Sequence, residues 1–364
     1  MSSVSSSESE RSESLQSDTQ PGATSSSFDI YATYERFLQN EDISTPLAAI
    51  LALTELVEKS NAGTMFELVK ALNDGAKSLK EGTPNPISLN CGCELFVAFV
   101  SLFPHDSDTF SELKTELVKQ GRSYAAEALG YRDRIADLSL GFIKDDSILT
   151  HSYSRVVMKT LLRAHKQKRI SVYVTEARPR GLGFVLNVSS LAAAGIPCTV
   201  VLDSAVAYVM DNVDFVLVGS EAVVESGGLI NAVGSHQMAI IAKAANKPFY
   251  ALAESYKFHR LFPLSQYDLP THNPSILSFP RTGTLSTLSA QPLSSSISQL
   301  HEVPTVPSES HSALLVPLSM TPEQIARNPD VDYTRPDLIS LVISDVGHLT
   351  PEGVSQYLVG MFAG

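Results

Sequence analysis

A chain of 364 residues with a net charge of −12 is long enough for two domains, and its acidity argues against a general nucleic-acid binder, which needs a lysine- and arginine-rich face. No apolar run approaches the ~20 residues that span a bilayer, and the serine- and glutamate-rich amino terminus lacks the apolar core of a secretion signal. Cys91, Cys93 and Cys198 do not make a disulfide framework, and the first two stand too close to form half of a common zinc site, so they read as small buried thiols in a reducing, cytosolic compartment.

Residues 1–27, MSSVSSSESERSESLQSDTQPGATSSS, cannot bury enough apolar surface to offset their ordering entropy, which predicts a disordered tail. Its serines beside Glu8, Glu10 and Glu13 suit an acidophilic kinase or serve only to solubilise. From residue 28 to about 143 the pattern is helical. Leu47, Ile50, Leu51, Leu53, Leu56 and Val57 recur at three- and four-residue spacing behind Ser44-Thr45-Pro46, a cap followed by a proline at the helix start. Met65, Leu68, Val69 and Leu72 repeat the spacing, as do Leu95, Val97, Phe99 and Val100, and then Phe110, Leu113, Leu117 and Val118. The region reads as an antiparallel helical bundle.

The period changes at about residue 144. Short apolar runs at 148–150, 170–175, 198–202, 213–218, 249–253 and 338–343 alternate with helical stretches, as in a right-handed parallel α/β sheet. Within Asn212–Phe258 the order reads strand, glycine-rich turn, helix from Ser235 to Ala245, and strand. In a parallel sheet that puts the turn at the carboxyl edge, where ligands usually bind. Between about 271 and 320 serine, threonine and proline dominate, which predicts a disordered insertion before the last strand and helix. The fold class is α/β: an N-terminal helical bundle (28–143) followed by a Rossmann-like parallel-sheet domain (144–364).

The strand ends present His151-Ser152-Tyr153, Glu176-Ala177-Arg178, Asp203, Glu221, Glu225 and Glu254. Carboxylates converging with an arginine suit a polar, phosphorylated ligand, which Arg178 would grip through paired hydrogen bonds. Gly227-Gly228, Asn231 and the helix start near Ser235 would offer backbone N–H groups to an anion. Against these stand ordinary alternatives, a tight turn and a surface salt bridge. Known nucleotide motifs are missing: Arg180-Gly181-Leu182-Gly183 begins like a dinucleotide fingerprint, but Leu186 stands where the third glycine belongs. Ser152 and His151 are adjacent, so they point to opposite faces of a strand and do not form a Ser–His couple.

THSYSRVV (150–157), VTEARPRGLG (174–183), VDFVLVGSEAVVESGGLINAVGS (213–235), KPFYALAESYKFHRLFPL (247–264) and DYTRPDLISLVISDVGHLTP (332–351) closely resemble the alpha-subunit family of eukaryotic translation initiation factor 2B. The resemblance covers most of residues 28–364. It implies a helical domain before a Rossmann-like one, and a cytosolic homodimer that joins beta, gamma, delta and epsilon subunits. It also implies a regulatory role in GDP/GTP exchange on initiation factor 2, helping to sense the phosphorylated alpha subunit of that factor through the helical domain. No cofactor, nucleic acid or membrane is implied. The same superfamily holds methylthioribose-phosphate and ribose-bisphosphate isomerases, whose cysteine and aspartate correspond here to Ser152 and Glu221. A hydroxyl is a poor substitute for a thiolate, and the longer Glu221 side chain displaces a proton-transfer group. The family's Asn-Lys pair appears as Asn231-Ala232. The resemblance therefore implies a pseudoenzyme. The ligand-binding candidates are Tyr153, Arg178, Glu221, Gly227, Gly228 and Asn231, for a sugar phosphate or a nucleoside monophosphate. An active aldose–ketose isomerase, or a dimer-stabilising pocket without turnover, are the alternatives. Tyr256–Leu264 and the carboxyl-terminal helix are candidate dimer surfaces or simply core.

Overall fold

The computed structural model describes residues 28–104, 109–179, 181–279 and 320–362. The expected tail (1–27) and most of the expected insertion (280–319) lie outside the described residues. The first five helices are α1 (Ile30–Leu38), α2 (Thr45–Lys59), α3 (Met65–Glu81), α4 (Ile87–Leu102) and α5 (Phe110–Ala128). Local chemistry fixes their starts. The Asp29 carboxylate accepts the N–H groups of Tyr31 and Ala32, and the hydroxyls of Thr64 and Thr109 accept those of Glu67 and Glu112, which satisfies donors that a helix leaves free. Leu47, Ile50, Leu53, Leu68, Leu72, Leu89 and Leu117 are all buried in one core. α2 and α4 cross backbone on backbone: a Cβ at Gly92 would stand 2.3 Å from the carbonyl oxygen of Pro46.

The main sheet contains β1 (Ser147–Thr150), β2 (Ser171–Thr175), β3 (Cys198–Val201), β4 (Phe215–Val218), β7 (Phe249–Leu252), β10 (Leu341–Ser344) and β11 (Gly347–Leu349). They lie in the order β11-β10-β7-β4-β1-β2-β3, parallel except for β11. Alternation of side chains along each strand divides its core in two. Leu149, Val216, Val218 and Val342 pack with α10 (Ser235–Ala244) and α12 (Pro351–Phe362). Ile148, Phe215, Leu217 and Ile343 pack with α7 (Arg155–His165) and with Leu191 of α8 (Leu182–Ala193). The helix α6 (Tyr131–Ser139), which periodicity groups with the bundle, joins this second face through the buried Ile135.

Two expectations need correction. The run at 338–343 begins as a 3-10 turn (Pro336–Leu338), and the strand itself is β10. The stretch between β4 and α10 is not a bare glycine-rich turn. It holds the hairpin β5 (Ala222–Val224) and β6 (Leu229–Ala232), which belongs to a second sheet of order β8-β5-β6-β9 with β8 (Phe258–His259) and β9 (Val331–Thr334). All three residues of β5 are buried, so its partners, not its own pattern, make it a strand.

A site where the strand order reverses

β2 and β3 lie on one side of β1, and β4 lies on the other. Ligands of open α/β sheets bind outside the carboxyl ends of the strands where the order reverses, which here means the ends of β1 and β4. Ser152 follows β1 and Glu221 follows β4. The two loops touch: a Cβ at Gly219 would lie 2.2 Å from Ser154 Oγ, so only glycine allows this approach.

On the β1 side, His151 is buried, with its Nε2 2.8 Å from the carbonyl oxygen of Val233 and its Nδ1 2.6 Å from Thr175 Oγ1. A carbonyl only accepts, so Nε2 carries the hydrogen and Nδ1 accepts the threonine hydroxyl. Burial lowers the imidazole's pKa and keeps it neutral. His151 therefore ties β1 and β2 to the turn before α10. Ser152 adopts φ 57, in the left-handed region that non-glycine residues rarely occupy, and its carbonyl accepts Asn187 Nδ2 at 2.8 Å. Tyr153 is 41% exposed at the rim.

On the β4 side, Glu221 donates its N–H to Ile230 (2.9 Å), and its carbonyl accepts the Ser88 hydroxyl at 2.9 Å. Its half-buried carboxylate makes no hydrogen bond or ion pair with any of the described residues. Behind it, Lys257 Nζ donates to the carbonyl of Ser220 at 2.8 Å and pairs with Glu254 Oε2 at 3.0 Å. Glu254, fully enclosed, also meets Arg132 Nε at 3.0 Å. Burial alone would raise the Glu254 carboxyl, but Lys257 and Arg132 outweigh it and hold the group down at about 2.

The remaining candidates do not form the expected anion cradle. Gly227 (φ 81) and Gly228 make the hairpin turn, where a Cβ would meet the Pro351 carbonyl oxygen at 2.2 Å and the Tyr333 ring at 2.4 Å respectively. They are glycine for packing, not to present N–H groups to a ligand. Asn231 is buried on β6, and its Nδ2 donates to Ser235 Oγ at 2.9 Å. The α10 amino terminus already holds a carboxyl group: Asp332 Oδ2 accepts the N–H groups of Gly234 (2.7 Å) and His236 (3.1 Å). Burial pushes the Asp332 carboxyl up to about 7, against the two N–H groups that favour its charge. Arg178 stays largely in solvent, its Nε 4.0 Å from Glu176, while the backbone N–H groups of Ala177 and Arg178 donate to Asp203 at 3.0 and 2.8 Å. Asp203 and Glu254 are thus occupied in holding structure, leaving Ser152, Tyr153 and Glu221 at the junction. Ser88, Arg132, Lys257 and Asp332 escaped sequence reading, because each acts through a residue far away in the chain.

A family model described as the initiation factor 2 subunit family matches residues 39–351. The chain belongs to the initiation factor 2 subunit family. It is 35% identical over 348 residues to "Translation initiation factor eIF2B subunit alpha" of Dictyostelium discoideum, covering 94% of this chain and 99% of that protein. It is also 32% identical over 185 residues to the ribose 1,5-bisphosphate isomerase of Archaeoglobus fulgidus, covering 50% of this chain and 57% of the isomerase. Among solved structures, the tetrameric eIF2B-beta2-delta2 complex from C. thermophilum matches with a TM-score of 0.65 at 18% identity, over 92% of this chain and 96% of that one. This last likeness shows that the initiation factor 2 subunit fold is shared.

Of the apolar segments offered as dimer surfaces, Tyr256 is buried in the helical core, and Phe258, Val354 and Leu358 are buried against the sheet. Phe262 and Leu264 remain exposed. Among the described residues, no helix is long and apolar enough to cross a membrane.

Proposed function

We propose that this chain is the alpha subunit of the initiation factor 2B exchange complex, a regulator that does not itself catalyse. The observation that carries the reading is its 35% identity to the Dictyostelium discoideum subunit over 99% of that protein's length. In this role it pairs with a second copy of itself in the cytosol and joins the beta, gamma, delta and epsilon subunits. It helps to recognise the phosphorylated alpha subunit of initiation factor 2, so that GDP/GTP exchange falls. No cofactor is required.

The chemistry at the junction supports a regulator. Ser152 offers a hydroxyl, whose proton is held far more tightly than a thiol's, so it is a weak nucleophile and proton carrier without a partnered base. His151, the nearest base in sequence, has both ring nitrogens occupied. The partial likeness to a ribose 1,5-bisphosphate isomerase, with a Glu221 carboxylate that no described residue pairs with, favours a second reading of the same site. It binds a sugar phosphate or nucleoside monophosphate without converting it and stabilises the assembly. Aldose–ketose isomerisation by the chain as it stands is the rival outcome.

The test is affinity purification of the tagged full chain from eukaryotic cytosol. Recovery of beta, gamma, delta and epsilon subunits in near-equal amounts is expected, together with no turnover of ribose 1,5-bisphosphate. Recovery of the chain with itself alone, accompanied by isomerase turnover, overturns the proposal.

A further inference from the structure

We infer that the strand-end site and the helical domain are coupled, so that a change at one alters the other through a short chain of named hydrogen bonds. This rests on reading the site as retained for regulation.

Both loops of the site are bonded across the boundary. Arg155, three residues after Ser152 and the first residue of α7, donates to the carbonyls of Glu41 and Ile43 between α1 and α2, the latter at 3.3 Å. Arg132 donates to the intervening carbonyl of Asp42 at 3.0 Å and holds Glu254 with its Nε. Three successive carbonyls of one helical-domain loop therefore accept from guanidinium groups seated on the sheet domain. On the other side, Ser88 in the first turn of α4 donates to the carbonyl of Glu221, whose carboxylate makes no hydrogen bond or ion pair with the described residues. Lys257 bonds the peptide just before it through Ser220.

The connections are short and leave little slack. Ser152 is held at a φ that a serine keeps only when its surroundings fix it, and Arg155 opens α7 three residues on. A group that shifts the Ser152 turn must move the Arg155 guanidinium, and with it the loop 41–43. A group that rotates the Glu221 peptide must move or release Ser88, and with it the start of α4. Such coupling is reciprocal. Mutation on the helical side must therefore be felt at the site, even without a ligand.

The experiment is amide hydrogen exchange on the full chain, comparing wild type with Ser88→Ala and with Arg155→Gln. Ser88→Ala removes a helical-domain hydroxyl, and exchange at residues 219–222 and 152–155 of the sheet domain is expected to quicken about fivefold. Arg155→Gln removes a sheet-domain cation, and exchange at residues 40–45 is expected to quicken at least about tenfold. If Arg155→Gln does not fold, Ser88→Ala decides alone, since a serine-to-alanine change in a helix is mild. Acceleration confined to the mutated domain in both variants overturns the inference. Failure to recover partner subunits in the purification would count against the functional reading and leaves this exchange result standing.

Discussion

Replacing Glu254 with glutamine isolates the enclosed charge that holds Arg132, whose guanidinium reaches across to the Asp42 carbonyl of the helical domain. Its side chain is 2% exposed, and its oxygens lie 3.0 Å from Arg132 Nε and 3.0 Å from Lys257 Nζ. Glutamine keeps the shape and one acceptor, but turns an amide N–H₂ toward one of two cations and leaves both positive charges without a counterion among the described residues. The carboxyl is held down from its ordinary 4.5 to about 2. The carboxylate therefore contributes about 3 kcal/mol at neutral pH, which meets the lower end of the ~3–5 kcal/mol typical for breaking a buried pair. A depressed pKa gives stability that is present above the unfolded value and is lost as pH falls toward the folded value. The gap between wild type and Glu254→Gln should thus be about 3 kcal/mol at pH 7 and about half that at pH 3. Urea unfolding followed by circular dichroism at both pH values measures it. A gap under about 1 kcal/mol, or one that does not shrink with acid, would refute the assignment of this carboxylate as the counterion of the two enclosed cations.

Asp332 has the opposite sign. Its carboxyl is raised from 3.8 to about 7, so the stability it contributes is present below about pH 4 and is lost as pH rises through 7. Asp332→Asn should flatten that fall and leave the protein more stable than wild type at pH 8, read from urea midpoints. Gly92→Ala should cost at least about 2 kcal/mol in the same assay, because its Cβ would press on the Pro46 carbonyl, backbone that cannot rotate away. Glu221→Gln should change stability by less than about 0.5 kcal/mol, as expected for a side chain with no hydrogen bond or ion pair to the described residues; a loss above about 1 kcal/mol would show that the fold does use it.

Much of the fold is visible in the chain because its cause is local. FVLV at Phe215–Val218 is buried at every residue, and a continuous apolar run says so directly. The spacing of Leu47, Ile50 and Leu53 turns all three to one core. The second sheet is invisible for the converse reason. β5 and β6 are three and four residues long, a short hairpin that becomes part of a sheet because β8 and β9 arrive from elsewhere to flank it. Gly227-Gly228 was open to two readings, since an absent Cβ suits a phosphate as well as a protein neighbour. Pro351 and Tyr333, which fill the space, lie more than a hundred positions away. The α10 amino terminus is likewise suited to an acceptor from anywhere, and Asp332 of the chain itself fills it.

These two positions separate what the site is built from and what it offers. His151, Ser88, Lys257, Asp203, Asn231 and Asp332 are polar groups at or near the strand ends, and each is occupied with another part of the chain. They hold the loops of the switch point in position whatever chemistry is performed there. Glu221's carboxylate stands outside that scaffold. The Ser152 hydroxyl, likewise, makes no hydrogen bond with the described residues, although its backbone is fixed. A fold that keeps its polar framework can therefore exchange the residues at these two positions with little effect on its stability. In a relative that turns over sugar phosphate, the same framework would position a thiol and a shorter carboxylate. Here it positions a hydroxyl and a glutamate between two domains that it also bonds together. An occupant of that space would meet the Ser152 turn and the Glu221 peptide, which are the points where Arg155 and Ser88 reach across the boundary.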